Sequence, residues 1–355
     1  MAGRVPFPSG SASYNLLTLG LLPEEEKLKS FKIILVLSLP LFLIPGCKKD
    51  TTSTSSTTAS TSSTTCSSVV GKVGDNSSNL VTTALAKSAN LTKGLTVFGI
   101  YILATSEVAD AKLLHAANIT AELIDNNEDG TADNPTVLKA LVDNSTFVKM
   151  YNLQSGNSVT IDTDVLDDAG VSKNTSLGAY ETVDNYADGV SHDASIEEIF
   201  HLITQYGYSV AYPTVFEESN TSISAMALAM DTARGGRQLT TTNGAWVYNN
   251  TTCPETGSVE SGKAWWFYDE ASADYKTMQT EYMYWAVTSK FGMHDSTAGR
   301  TKVDSEWCPN TKAELLAQDP TIYNLIDNAT YAFPTVLPDA SYSACTFTTS
   351  DIITF

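Results

Sequence analysis

Residues 195–207 read SIEEIFHLITQYG, and we expect the rest of the chain to be organised around the short helix that this stretch predicts. Two adjacent carboxylates and an imidazole lie in it. Glu197 and His201 are four residues apart, so both side chains project from one face of the helix, one turn apart. A carboxylate and an imidazole in this arrangement can bind the same metal ion, because both are common zinc ligands.

Read with Glu198, the stretch resembles the His-Glu-x-x-His motif of zinc-dependent proteases, with glutamate in place of the first histidine. In that family the two residues four apart bind zinc and the glutamate between them activates a water molecule. The resemblance implies zinc at Glu197 and His201, with Glu198 as the general base. In gluzincin-type proteases the third ligand is a glutamate on a downstream helix. Glu281, in a helix predicted over residues 272–290, is the candidate for that ligand.

The same stretch also fits a purely structural role. Ser195 and Glu198 have the Ser-x-x-Glu spacing of a capping box, and acidic residues are favoured in the first turn of a helix. Gly207 is placed to end the helix in a left-handed conformation. Because the chain has 4 histidines, a zinc site must rely on carboxylates, and His115 and His192 are secondary candidates for it.

A second motif lies at residues 125–133, which read DNNEDGTAD between two predicted helices. Its spacing resembles the calcium loops of EF-hand and dockerin proteins, with glycine where the sharp turn is needed, and the resemblance covers residues 125–136. It implies a bound Ca²⁺ at Asp125, Asn127, Asp129, Thr131 and Asp133. Thr136 replaces the bidentate glutamate that ends such loops, which predicts weak affinity. A turn rich in Asp, Asn and Gly that caps the adjoining helices would have the same composition.

Composition excludes one class of partner and indicates the fold class. The 355 residues have a formal net charge of −19, which argues against nucleic acid as a partner, since phosphate binding needs clustered Lys and Arg. With 42% hydrophobic residues the chain can build a core, and we predict one α+β domain, mostly helical, over residues 69–355. Hydrophobic patterning predicts strands at 95–103 and 159–166, a loop at 212–216 and a helix at 219–234.

The N-terminal region has the pattern of a targeting segment. An apolar run at residues 33–44 follows three lysines and is too short to span a bilayer, which predicts a signal peptide over residues 1–47. The run ends in Ile44-Pro45-Gly46-Cys47, which resembles the lipobox of bacterial lipoproteins. The resemblance implies acylation of Cys47, attachment to a membrane and a location in the cell envelope, facing the periplasm or the exterior. Residues 48–68 are rich in Ser and Thr and predict a disordered tether.

Five cysteines are present in the chain. If Cys47 is acylated, four remain in an oxidising compartment, where disulfide bonds are expected. We predict a bond between Cys253 and Cys308, both flanked by proline-containing loop sequence, and a second between Cys66 and Cys345. Sequence alone leaves all three possible pairings of four cysteines open.

Two functions follow from these patterns. The first is an envelope-anchored, metal-dependent hydrolase, a zincin-like peptidase acting on peptides or proteins, with calcium bracing the helices around residues 125–136. The second is a non-enzymatic, calcium-binding surface lipoprotein used for attachment or envelope structure. The two differ at Glu198, which is essential for hydrolysis in the first and only contributes to helix stability in the second.

Overall fold

The computed structural model describes residues 66–74, 79–152, 159–183, 193–254, 262–295 and 306–355, which belong to one compact unit, Ser60–Phe355. The predicted signal peptide, Cys47 and nearly all of the predicted tether lie outside the described residues. Within the part that is described, no helix is both long enough and apolar enough to cross a bilayer.

A six-stranded mixed sheet forms the centre of the described structure. Its strands are β1 (Val70–Gly71), β2 (Lys93–Val97), β3 (Ile100–Ala104), β4 (Phe147–Tyr151), β5 (Asn174–Gly178) and β6 (Ile353–Thr354). The order is β1-β2-β3-β4-β5, and β6 pairs with the same edge of β2 as β1 does, further along the strand. Strands β3, β4 and β5 are parallel to one another, whereas β1, β3 and β6 run antiparallel to β2.

The prediction of a mostly helical domain is wrong, because 39% helix accompanies 11% strand arranged in this sheet. One cause lies at residues 95–103, predicted as a single strand. Phe98 and Gly99 both have positive φ, at 51° and 85°, and form a two-residue turn that folds the run into the β2–β3 hairpin. Both strands are almost fully buried, so the apolar run continues through the turn and hides it.

Helices connect the parallel strands and cover both faces of the sheet. Between β3 and β4 lie α3 (Asp110–Ile124) and α4 (Pro135–Asp143), and between β4 and β5 lies α5 (Thr163–Asp168). The predicted strand at 159–166 is therefore wrong, since Asp162 accepts a hydrogen bond from the Val165 amide and caps α5. Along β3 the side chains alternate between the two faces: Ile100, Ile102 and Ala104 join the main core, whereas Tyr101 and Leu103 join the smaller core that includes α5.

The second half of the chain is helical and packs on the main core. Its elements are α6 (Ala194–Ile203), a π-helical segment (Thr204–Tyr208), α7 (Ser209–Ala211), α8 (Pro213–Phe216), α9 (Ala225–Ala233), α10 (Tyr275–Lys290), α11 (Lys312–Gln318) and α12 (Pro320–Ile326). Two short helices, α1 (Cys66–Val69) and α2 (Thr83–Ser88), precede the sheet. The predicted loop at 212–216 is instead α8, and the helix predicted from residue 219 begins only at Ala225, after the Ser224 cap.

Gly207 does not end the central helix, which continues through the π segment into α7. A side chain at this position would bring its first carbon within 2.7 Å of Val137 Cγ1. Glycine is therefore needed here for close packing against α4 rather than for a left-handed cap.

Candidate metal centre

Helix α6 begins two residues earlier than the capping-box prediction requires. Its cap is Asp193, whose Oδ1 accepts hydrogen bonds from the Ser195 amide at 3.0 Å and from the Ser195 hydroxyl at 2.5 Å. Glu198 does not return to the cap; its Oε2 accepts a hydrogen bond from Thr175 Oγ1 at 2.6 Å. The capping box at Ser195 and Glu198 is therefore absent.

A buried pair holds the start of α6 against α3. His115 Nε2 lies 2.7 Å from Asp193 Oδ2, and both side chains are almost fully buried. His115 is thus a partner of the helix cap and does not belong to the group around His201. His192, the other secondary candidate, lies outside the described residues.

The structure brings Glu197, His201 and Glu281 together. One ligand atom from each side chain lies within 4.8 Å of the other two. Among the described residues no other group of three His, Cys, Asp or Glu side chains converges in this way. The two elements predicted to share the site, α6 and α10, pack against each other, and the Tyr284 ring of α10 meets the His201 ring edge-on at 5.6 Å between centroids.

The imidazole of His201 has a nitrogen with no protein partner. Its Nε2 is buried and makes no hydrogen bond, and the Glu281 Oε2 atom is 3.7 Å away. Both side chains are only 13% exposed. A buried polar atom left unpaired costs about 1–3 kcal/mol, so an interaction that fills this gap is strongly favoured.

The spacing suits a metal ion of zinc size. Bonds of about 2.0–2.1 Å in tetrahedral geometry put neighbouring ligand atoms about 3.4 Å apart. The 3.7 Å between His201 Nε2 and Glu281 Oε2 is close to that value. The 4.8 Å limit on the whole group exceeds that spacing by at most about 1.4 Å, which side-chain rotation can supply. The residues present therefore fit a three-ligand site with room for a further ligand.

Electrostatics at the cluster also favour a cation. Burial, followed by the charges of Glu197, Glu198 and Glu306, raises the pKa of Glu281 to about 9. Burial lowers the pKa of His201, against the opposing charge of Glu197, so its imidazole is neutral and able to bind a metal. A divalent ion would offset the repulsion among the carboxylates and bring Glu281 back to its ionised form.

Glu198 follows Glu197 on α6, and its side chain is held by the neighbouring strand. Thr175 on β5 holds one of its two carboxylate oxygens. Burial is the main reason that the pKa of Glu198 rises to about 7, and the charges of Glu197 and Glu181 add to it. A carboxylate that titrates near neutral pH is well matched to taking a proton from water.

Two glutamates at the cluster were not predicted from the sequence. Glu306 Oε1 accepts a hydrogen bond from the Trp285 indole at 3.0 Å, and burial raises its pKa to about 7. Glu306 is brought there by the bridge between Trp266 and Trp307.

The predicted disulfide bond between Cys253 and Cys308 is present beside this bridge. Cys345 is also disulfide-bonded, and the side chain of Cys66, its predicted partner, lies outside the described residues.

The other unpredicted residue, Glu218, ties the two ligand-bearing segments together. Its Oε2 accepts a hydrogen bond from the hydroxyl of Thr280, the residue before Glu281, at 2.6 Å. Thr204, which follows α6, is a second hydroxyl partner. Burial raises the pKa of Glu218 to about 7. No local sequence signal marks either Glu218 or Glu306, because each meets the cluster only through tertiary packing.

The calcium-like loop has a different character. Asp125 accepts hydrogen bonds from the Gly130 amide at 2.7 Å and from the hydroxyl of Tyr342. Asp133 accepts from the Asn126 amide and the Asn127 side chain. The Asp129 carboxylate accepts a hydrogen bond from the Thr131 amide, and the Asn134 side chain caps α4 by accepting one from the Thr136 amide. Calcium binding here stays a prediction, and the turn is already closed by its own hydrogen bonds.

Comparisons of this chain with protein-family models, with curated proteins and with solved structures each found no match. The geometry of the cluster is therefore the basis on which a function can be inferred.

Proposed function

We propose that the chain is a metal-dependent hydrolase whose metal ion is held by Glu197, His201 and Glu281. The observation that carries the proposal is the buried Nε2 of His201, which makes no hydrogen bond and lies 3.7 Å from Glu281 Oε2 in a cluster that also includes Glu197. Zinc fits this donor set, because it binds both imidazole nitrogen and carboxylate oxygen at about 2.0–2.2 Å and leaves a fourth position for water in catalytic sites.

The chemistry of the site follows from the residues around the metal. When bound, the metal makes water acidic enough to deprotonate near neutral pH and polarises a carbonyl group. Glu198, adjacent to the ligand Glu197 and held by Thr175, takes the proton from water and passes it to the leaving group. Peptides or proteins are the proposed substrates. The proposal places the enzyme at the cell envelope, attached to a membrane through acylated Cys47.

A second candidate, a non-enzymatic calcium-binding surface lipoprotein, is favoured by one observation. The loop at residues 125–133 is a defined turn docked on the C-terminal segment, where Glu128 accepts a hydrogen bond from the Ser343 amide. A cation bound there would stabilise this docking without any chemistry. The hydrolase is the stronger proposal, because the loop carboxylates already have partners and His201 Nε2 has none.

Zinc titration and a hydrolysis assay test the hydrolase. The full chain should bind about one Zn²⁺, and Glu198→Gln should keep that zinc while peptide hydrolysis falls by about 10²–10⁴-fold, because only the proton acceptor is lost. Glu107→Gln is the matched control, an exposed carboxylate whose contact is the Val159 amide. Normal hydrolysis by a folded, zinc-loaded Glu198→Gln protein would contradict the assignment.

A further inference from the structure

The metal centre holds more carboxylates than one ion needs. The charged groups that interact most strongly with Glu281 are Glu197, Glu198 and Glu306. Glu306 is in turn surrounded by Asp269 and Glu197. Among the described residues no lysine or arginine ranks with these acidic groups in its effect on either side chain.

The balance of charge decides what such a site attracts. Among the described residues neither Glu198 nor Glu306 forms an ion pair with a lysine or arginine, so both would remain as further carboxylates beside a divalent ion held by Glu197 and Glu281. In a half-buried site the interaction between charges is stronger than in bulk water, so an anionic substrate group is repelled and a cationic one attracted. The net charge of −19 on the whole chain acts in the same direction during encounter.

Aromatic rings lie beside the Glu306 carboxylate. Trp285 and Tyr268 are both partly exposed, and the Trp285 indole holds Glu306 Oε1 at 3.0 Å. Tyr268 lies close enough to Glu281 to bond its carboxylate. A carboxylate fixed next to partly exposed aromatic faces can bind a primary ammonium or a guanidinium group, through an ion pair and a cation–π contact.

We propose that the metal centre selects substrates with a primary ammonium or guanidinium group close to the scissile bond, and that Glu306 is the specificity carboxylate. The inference rests on the proposed hydrolase function. The cation can be a lysine or arginine side chain, or the free amino terminus of a peptide, since the chemistry recognised is shared.

A peptide library tests the selection. The full chain, loaded with one equivalent of Zn²⁺, is incubated with synthetic peptides of balanced composition, once with free and once with acetylated amino termini, and the cleavage sites are read by mass spectrometry. We expect cleavage next to Lys, Arg or a free amino terminus to exceed cleavage next to Asp or Glu by at least about tenfold. If the excess vanishes on acetylation, the amino terminus is the cation; if it persists, a side chain is.

Glu306→Gln should reduce that ratio to below about threefold, and Glu107→Gln should leave it unchanged. The ratio is the readout, with folding of each variant checked by its melting temperature. Equal cleavage beside cationic and acidic residues, or an unchanged ratio in folded Glu306→Gln protein, overturns the selection and leaves the hydrolase intact. Failure of the zinc-loaded wild-type chain to cleave any peptide overturns both.

Discussion

Two acidic regions of this molecule have similar compositions but differ in whether their polar groups have hydrogen-bond partners. In the loop at residues 125–133 the carboxylates accept hydrogen bonds from backbone amides and from Tyr342, so their charge is spread over the turn. In the cluster on α6 and α10 the carboxylates face one another and an imidazole nitrogen with no partner. The difference indicates that unsatisfied groups, rather than acidic residues as such, mark the place where a cation is needed.

The largest expected effect separates the two regions by zinc affinity. His201→Ala removes the one nitrogen ligand of the cluster and should weaken zinc binding by at least about 100-fold, which is about 2.7 kcal/mol. Asp129→Asn, which removes a charge from the loop, should change zinc affinity less than about twofold. Competition titration with a fluorescent zinc chelator measures both. Loss of zinc in Asp129→Asn rather than in His201→Ala would move the metal to the loop.

The next largest effect is the pH dependence of folding stability in the metal-free protein. A carboxyl group whose pKa is raised on folding stabilises the protein fully below the unfolded value and loses that contribution as pH rises through the folded value. For Glu281 the window runs from about 4.5 to about 9, and for Glu198 and Glu306 from about 4.5 to about 7. The metal-free chain should therefore melt at a lower temperature at pH 8 than at pH 5.

Glu281→Gln identifies the source of this pH dependence. Each unit of pKa shift corresponds to about 1.4 kcal/mol, so removing the charge should stabilise the metal-free chain at pH 8 by at least about 2 kcal/mol and change little at pH 4.5. Melting curves between pH 4.5 and 9 with a metal chelator present give the measurement, and Glu107→Gln should follow the wild type. A wild-type curve that is flat across this range would show that the cluster is not strained by its own charge.

The part of the cluster on α6 follows from local sequence, whereas its other members and most of the fold do not. Glu197 and His201 share a helix face because of their spacing, which any sequence reading can use. Glu281 was found only through the resemblance to gluzincins, and Glu218 and Glu306 carry no local signal at all. The fully buried hairpin at Phe98 and Gly99 escaped prediction because its apolar run shows no alternation at the turn.

The smallest effect belongs to the loop. The Tyr342 hydroxyl donates a hydrogen bond to Asp125 Oδ2, and both side chains are buried. Tyr342→Phe removes a hydrogen bond to a charged group, which should lower the free energy of unfolding by about 1–2 kcal/mol. The loss stays small because the Gly130 amide still bonds the same oxygen.

Zinc affinity should be unchanged in Tyr342→Phe, because the loop satisfies its charge without help from the cluster. Chemical denaturation gives the free energy, and repeating it with Ca²⁺ at millimolar concentration sharpens the contrast. If calcium stabilises the wild type and Asp129→Asn abolishes this stabilisation, the loop is a cation site. Hydrogen bonds from the loop's own backbone would then not replace a bound metal. If calcium has no effect while Tyr342→Phe still lowers stability, the acidic turn is complete as a structural element, and His201 remains the feature that distinguishes a site from a turn.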